Sequence, residues 1–397
     1  MAGAITGLGT TYTLPNYTGV LYQLSPSSTP LYSAIAGSSN GGGQVTSTEF
    51  EWETADLRAP DQNVALEGQD APNSQERIRG NVTNVAQIHQ ETVGVSYSKL
   101  AAYGQKAGTN NAEVNPITNE LDWQVRQMLT QMVRDINWSF WNGKYNKPTD
   151  NTTKRQTRGI LSALSTNRLT ATGSVDYTAA TSATDTITVT HALSVGDKVV
   201  FTSRGGASGI VEGRVYYVQS VSTTVSFKVA ATSGGTAITV GTGAGIAFTK
   251  TSGTATTRDV INSLAQSVWD NGGVDNEMQA VFAVNSQQKV AISQAYGSLY
   301  QENSRTIGGT NISTVITDFG TFGVMKERAI RQDAIALVSL DELQPVWLET
   351  PGKGHLFAEP LAKTGAFEKT MLYGEVGLKY GAESHHGIIT GLKLPNA

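Results

Sequence analysis

Residues 361–392 read LAKTGAFEKTMLYGEVGLKYGAESHHGIITGL, and residues 48–96 read TEFEWETADLRAPDQNVALEGQDAPNSQERIRGNVTNVAQIHQETVGVS. The earlier segment starts and ends like a strand, with Val45, Phe50 and Trp52 at one end and Val93 and Val95 at the other. Between them, from Asp56 to Arg79, lie Pro60, Gly68, Pro72 and many charges, and proline and glycine interrupt any ladder of backbone hydrogen bonds. Residues 44–95 therefore read as a long two-stranded loop that leaves the body and re-enters it. Long excursions from compact proteins are functional or disordered rather than core-forming. The closing segment is β-rich, so the chain ends in sheet.

A long helix follows the excursion. Asn115-Pro116 supplies a cap residue with proline at the first helical position. Ile117, Leu121, Val125, Met128, Met132 and Ile136 then recur at three- and four-residue spacing, and Asn142-Gly143 is a stop signal. The spacing predicts a helix over about 116–142, a rod of about 40 Å at ~1.5 Å per residue. Trp138, Phe140 and Trp141 near its end read as core or subunit packing rather than a ligand platform.

Residues 169–256 differ from their surroundings. Nineteen of these 88 residues are threonine, and no helical period appears. Short β runs (DTITVT, DKVVFTS, GRVYYVQSV, VSFKVA, TAITV) alternate with turns such as Gly205-Gly206 and Gly234-Gly235. The reading is an all-β unit inserted into the chain, Ig-like or otherwise a small β-sandwich or barrel. After it, Val260, Ile261, Leu264 and Val268 mark a helix face, QAVFAV (279–284) a buried strand, and Asn285 the cap of a helix ended by Gly297. ISTVITDFGTFGVMKE, AIALVSL and PVWLET read as strands. Residues 1–43 are poor in charge, with single apolar residues such as Leu14, Leu24, Leu31 and Ile35, and cannot build a core alone. They read as a disordered tail or as an arm that orders against a neighbouring subunit, the single apolar residues favouring the arm.

Bulk properties narrow the function. A chain of 397 residues is long enough for two or three domains. With 29 basic and 33 acidic side chains it lacks the basic excess of a dedicated nucleic-acid binder. Cysteine is absent, so neither a disulfide framework nor a thiolate metal site can form. The first residues lack the basic-then-apolar pattern of a secretory signal, and no apolar run suits a membrane span.

The ordered segments FEWETADL…RIRGNVT, DFGTFGV and LAKTGAFEK, taken together, resemble the major capsid proteins of tailed bacteriophages, which have the HK-97-type fold. The resemblance covers residues 44–166 and 257–393. It implies an α+β subunit with an N-terminal arm (1–43), an extended loop (44–95), a peripheral domain with a spine helix (96–168), an axial domain (257–340) and a return to the peripheral domain (341–397), the β insert occupying 169–256. The implied function is structural and not enzymatic: hexamers and pentamers of an icosahedral shell around double-stranded DNA, contacted non-specifically. A portal and scaffolding or decoration proteins would be partners, assembly would take place in the host cytoplasm, and no membrane would be involved. Some relatives are cross-linked through a loop lysine. Residues 44–98 contain no lysine, the first being Lys99, so no covalent link of that type is expected. The insert resembles small β modules of phage tail and surface proteins, which leaves a glycan-binding adhesin as the alternative.

Charge suggests how subunits meet. Residues 44–80 hold eight acidic side chains, Glu49, Glu51, Glu53, Asp56, Asp61, Glu67, Asp70 and Glu76, against three arginines. Residues 141–158 hold Lys144, Lys147, Lys154, Arg155 and Arg158 against Asp150. Opposite patches on different subunits steer docking and fix register. The expectation is that the acidic loop lies over the basic segment of a neighbour.

No catalytic, cofactor or metal site is expected. His385-His386 are adjacent, which on a strand points them to opposite faces. His89 and Glu91 alternate in a strand-like run and read as a solvated face. Gly241, Gly243 and Gly245 form a GxGxG string with no helix behind it, so a dinucleotide reading fails its context.

Overall fold

In the computed structural model the chain is described at residues 27–36, 42–71, 73, 76–101, 120–222, 225–251, 253–274, 280–300, 313–362 and 365–395. It opens with helix α1 (Pro30–Ala36), strand β1 (Gly43–Val45), and a hairpin of β2 (Glu49–Ala55) and β3 (Arg79–Val85). Strand β4 (Gln87–Ser96), helices α2 (Tyr97–Ala101), α3 (Glu120–Asn142) and α4 (Ile160–Ala163), and strand β5 (Arg168–Thr170) follow. The insert contributes β6 (Val175–Ala183), β7 (Thr186–Thr188), β8 (Lys198–Ser203), β9 (Val215–Ser222), β10 (Ser226–Ala230) and β11 (Gly243–Lys250). Helix α5 (Arg258–Asp270), β12 (Ala280–Val284), α6 (Ser286–Tyr300), β13 (Thr314–Thr317), β14 (Gly320–Lys326) and β15 (Ile335–Ser339) come next. The chain closes with β16 (Gln344–Leu348), β17 (Leu356–Pro360), β18 (Phe367–Lys379) and β19 (Gly387–Thr390).

The expected long helix is α3, described from Glu120; its proposed cap at Asn115-Pro116 lies outside the described residues, as does most of the N-terminal arm. Met132, Ile136, Phe140 and Trp141 are buried on one stripe, whereas Trp138 is 42% exposed. The stripe packs on a five-stranded sheet ordered β1-β16-β18-β17, with β4 pairing the far side of β18. Helix α1, with Leu31 and Ile35 fully buried, completes that core, so this part of the expected arm packs on its own subunit and not on a neighbour.

A second sheet of six strands runs β13-β14-β12-β15-β19-β5. Strand β15 (IALVS) is buried throughout, because both of its faces are covered. Ala336 and Val338 face the α3 core, while Ile335 and Leu337 face a second core built on Ile261, Leu264 and Val268 of α5. One sheet thus joins the two halves of the body through period-two alternation.

Four expectations are corrected. The insert is a closed barrel ordered β10-β7-β6-β11-β8-β9, not an Ig-like sandwich. Its interior is filled by Phe201, Phe227 and Phe248 with Ile187, Val199 and Ile246, and a small strand number leaves no lumen. TAITV forms only a bridge from Ala237 to Ala230, and the long strand β6 was not anticipated. Strand β19 belongs to the six-stranded sheet, between β15 and β5, rather than to the returning sheet with the rest of 341–397. All four of its residues are buried, which requires a central position. Helix α6 continues through Gly297 to Tyr300; a lone glycine costs about 1 kcal/mol in a helix without ending it.

Candidate assembly surfaces

The hairpin is fixed at its base and free beyond it. Trp52 Nε1 donates to the Gly381 carbonyl at 2.8 Å, and its ring meets Tyr380 edge-on at 4.9 Å. Phe50 stacks on Trp52 and lies over Gly377, where a Cβ would come within 2.5 Å of the ring. Buried Asn84 ties β3 to two other segments: its Nδ2 donates to the Leu378 and Arg158 carbonyls, and its Oδ1 accepts from the Arg158 N–H. Past β2 none of the described residues between 56 and 78 is in a strand. There Leu57, Val64, Leu66 and Ile78 stand 77–87% exposed.

The acidic and basic candidates separate into two groups. Glu49 pairs with Lys147 of the same chain at 2.6 Å, Glu53 pairs with Arg79 across the hairpin at 2.6 Å, and Glu51 accepts from Asn81 at 3.5 Å. Arg155 pairs with Glu375 at 3.0 Å; burial and that carboxylate push the Tyr373 hydroxyl up to about 12. Arg158 stacks over Tyr145 at 4.5 Å and donates to the Tyr380 hydroxyl. These contacts are internal, so Glu49, Lys147, Arg155 and Arg158 each have a partner within the subunit. Asp56, Asp61, Glu67 and Asp70 remain outward on the loop, and Lys144 and Lys154 are exposed with no ion pair among the described residues.

A further surface was misread from sequence. His89 and Glu91 lie on the face of β4 that meets α3, not on a solvated face. Burial lowers the His89 imidazole to about 4. Burial, and then the charge of Asp135 on α3, holds the Glu91 carboxyl above its usual range, and burial does the same for Asp135. Strand parity carried the signal: residues 89 and 91 share a face with Val93 and Val95, which the sequence places inside.

No group of three His, Asp or Glu side chains among the described residues is placed to hold a metal ion. His385 sits on a 3-10 turn with its Nδ1 against Glu342, and fully buried His386 accepts from the Ser339 N–H at 3.2 Å while its Nε2 meets the Tyr380 carbonyl at 2.9 Å. Gly243 and Gly245 are in strand β11, so the GxGxG string leads into no helix. No helix among the described residues is long and apolar enough to cross a membrane.

Comparison with known proteins agrees with this architecture. The family described as SU10 major capsid protein matches residues 4–393. Among solved structures, the chain is similar to the capsid of a native GTA particle, at 12% identity over 98% of this chain and 99% of that one, with a TM-score of 0.51. It is similar to the cyanophage A-1(L) capsid at 9% identity, 95% and 96% coverage and a TM-score of 0.50. The cyanophage P-SCSP1u capsid gives 8% identity, 96% and 93% coverage and a TM-score of 0.50. At such identities the likeness shows the shared fold. No curated protein matches the chain. With a family match over nearly its whole length and a capsid fold to go with it, the chain belongs to the SU10 major capsid protein family, and its role is structural, as a subunit of an icosahedral phage shell.

Proposed function

We propose that the shell is held together without covalent links, by the N-terminal arm and the extended loop of each subunit ordering on its neighbours. The observation that carries this reading is the set of four large apolar side chains, Leu57, Val64, Leu66 and Ile78, left 77–87% exposed on a projecting loop. Covering one such side chain contributes about 2 kcal/mol, whereas an exposed ion pair contributes roughly 0–1 kcal/mol. The apolar residues therefore supply the affinity. The outward carboxylates Asp56, Asp61, Glu67 and Asp70, set against a neighbour's Lys144 and Lys154, supply steering and register. The loop has no lysine, so it offers no amine for an isopeptide bond.

The shell encloses double-stranded DNA, touched non-specifically by a near-neutral subunit. A portal and scaffolding or decoration proteins are its further partners, and assembly takes place in the host cytoplasm. Replacing Leu57, Leu66 and Ile78 together by serine tests the loop's role, because these side chains touch little of their own subunit. The variant is expected to fold with an unchanged melting temperature and to stay unassembled; shells in normal yield would refute the reading.

A further inference from the structure

Between β4 and α3 lies a cavity of about 310 Å³. Its lining holds two carboxylates, Glu91 and Asp135, and neither lysine nor arginine. His89 is 8% exposed, and its Nε2 has no partner; Glu91 Oε2 is buried without a partner as well. Asp135 lines the same cavity, with one carboxylate oxygen taken by Gln131 at 2.8 Å. Arg134, next to it in sequence, donates to Gln131 at 2.9 Å. More than nine in ten buried polar groups in proteins find a partner, because an orphan forfeits its hydrogen bonds to water. Two orphans beside a second carboxylate indicate a partner that the lone subunit lacks.

The missing partner is a planar, multidentate cation. A guanidinium carries five N–H donors in a fixed fork, so one such group can serve more than one of these acceptors. Trp138 and Ile88, each 42% exposed, form an apolar rim on which such a group and its neighbour can stack. His89, Glu91 and Asp135 are not grouped closely enough to hold one metal ion.

One arginine of the chain suits the socket. On the extended loop, Arg79 is paired with Glu53, and Arg58 donates to the carbonyl of Ala59. Arg77 is exposed with no partner among the described residues, and Ile78 beside it is 87% exposed. It cannot reach its own socket, since the seven residues of β3, about 23 Å of extended strand, lead from Ile78 to β4. The socket also adjoins the basic segment: Gln87, in its wall, accepts from the Thr157 N–H at 3.2 Å. A loop whose carboxylates settle on a neighbour's Lys154 would bring its arginine to the same place.

We infer that the cavity between β4 and α3 is a socket for an arginine from a second copy of this chain, Arg77 of a neighbouring subunit's extended loop, with Ile78 closing over Trp138. The inference rests on the shell reading above and names where the loop lands.

The chain contains no cysteine, so an engineered pair gives a clean test. Ile78→Cys and Ile88→Cys are combined, and assembled shells are oxidised mildly and run on a non-reducing gel. A ladder of linked subunits is expected, absent from either single variant; monomer alone from intact shells would overturn the socket. A second variant, Glu91→Gln with Asp135→Asn, serves where the cysteine pair does not assemble. Shell yield is expected to fall at least tenfold while the free subunit melts no lower than wild type; unchanged yield, or a lowered melting temperature as the sole effect, would overturn the inference. Wild-type protein run alongside, alone and with a scaffolding partner, separates the claims: no wild-type shells under either condition would refute the shell reading, whereas wild-type shells with neither effect refute the socket alone.

Discussion

Asn137 Nδ2 donates to Glu327 Oε2 at 3.2 Å, joining α3 to the end of β14 inside the core. The same pair holds helix α1: Tyr32 N–H donates to Asn137 Oδ1 at 3.0 Å and Leu31 N–H to Glu327 Oε2 at 3.4 Å, with Ala329 N–H on the other carboxylate oxygen. Glu327 is 2% exposed, so its carboxyl oxygens take these donors in place of water. Removing one side of such a network leaves the other unsatisfied. Asn137→Ala is expected to cost about 2 kcal/mol and Glu327→Ala about 3 kcal/mol, with the double variant less than additive. Denaturant unfolding of the three variants measures it.

Gly377 makes room for the Phe50 ring at the base of the hairpin. A methyl group there must displace either the ring or the Val85 carbonyl, which a Cβ would approach to 2.8 Å. Gly377→Ala is expected to destabilise by about 1–3 kcal/mol as overpacking does. The combination with Phe50→Leu should recover part of the loss, and thermal melts check both.

The barrel is fastened to the body through Arg331. Its guanidinium grips Asp333 at 3.0 and 2.7 Å and donates to Thr249 of β11 at 2.7 Å, while Thr249 donates to Asp176 of β6. The incoming and outgoing chains lie side by side, with Thr254 Oγ1 donating to the Thr172 carbonyl at 2.9 Å. Replacing 174–252 by a short glycine linker is therefore expected to leave a body that folds cooperatively, seen as a single unfolding transition. Arg331→Ala in the full chain is expected to increase amide exchange in β6 and β11 more than in β15.

His89 makes the subunit sensitive to acid. Its folded pKa, about 4, lies below the ordinary value of 6.5, so the unfolded chain takes up a proton first. Its contribution to stability is intact above about pH 6.5 and is lost progressively as pH falls toward 4, about 3 kcal/mol in all. Glu91 and Asp135, whose pKa values are raised, act in the opposite sense, their penalty easing as pH falls through their folded values. His89→Gln is expected to flatten the stability loss between pH 6.5 and 4.5; an unchanged slope in unfolding experiments would contradict this.

The legible parts of the fold were those with a strong local period. Ile261, Leu264 and Val268 marked α5, the unbroken apolar run AIALVSL marked the doubly covered β15, and the Pro- and Gly-broken stretch between Asp56 and Arg79 marked the projecting loop. Long-range pairing was not legible. Nothing local in GIIT shows that β19 inserts between β15 and β5, since both neighbours are distant in sequence. Barrel closure depended on β6, whose DYTAATS lacks the large apolar residues that announce a strand. The net charge of a segment was legible, but pairing within the subunit was not: Lys147 and Arg155 find carboxylates in their own chain, where Asn84 and Gln87 draw their segment against the hairpin. The loop's exposed apolar residues and the orphaned atoms at His89 and Glu91 mark where the single chain is incomplete.

The most direct measurement is negative-stain electron microscopy with light scattering on the purified full chain. Closed shells tens of nanometres across, or rings of five and six subunits, are expected, alone or with a scaffolding partner. A stable monomer or a small oligomer of fixed size, unchanged by that partner, would contradict a shell-building subunit.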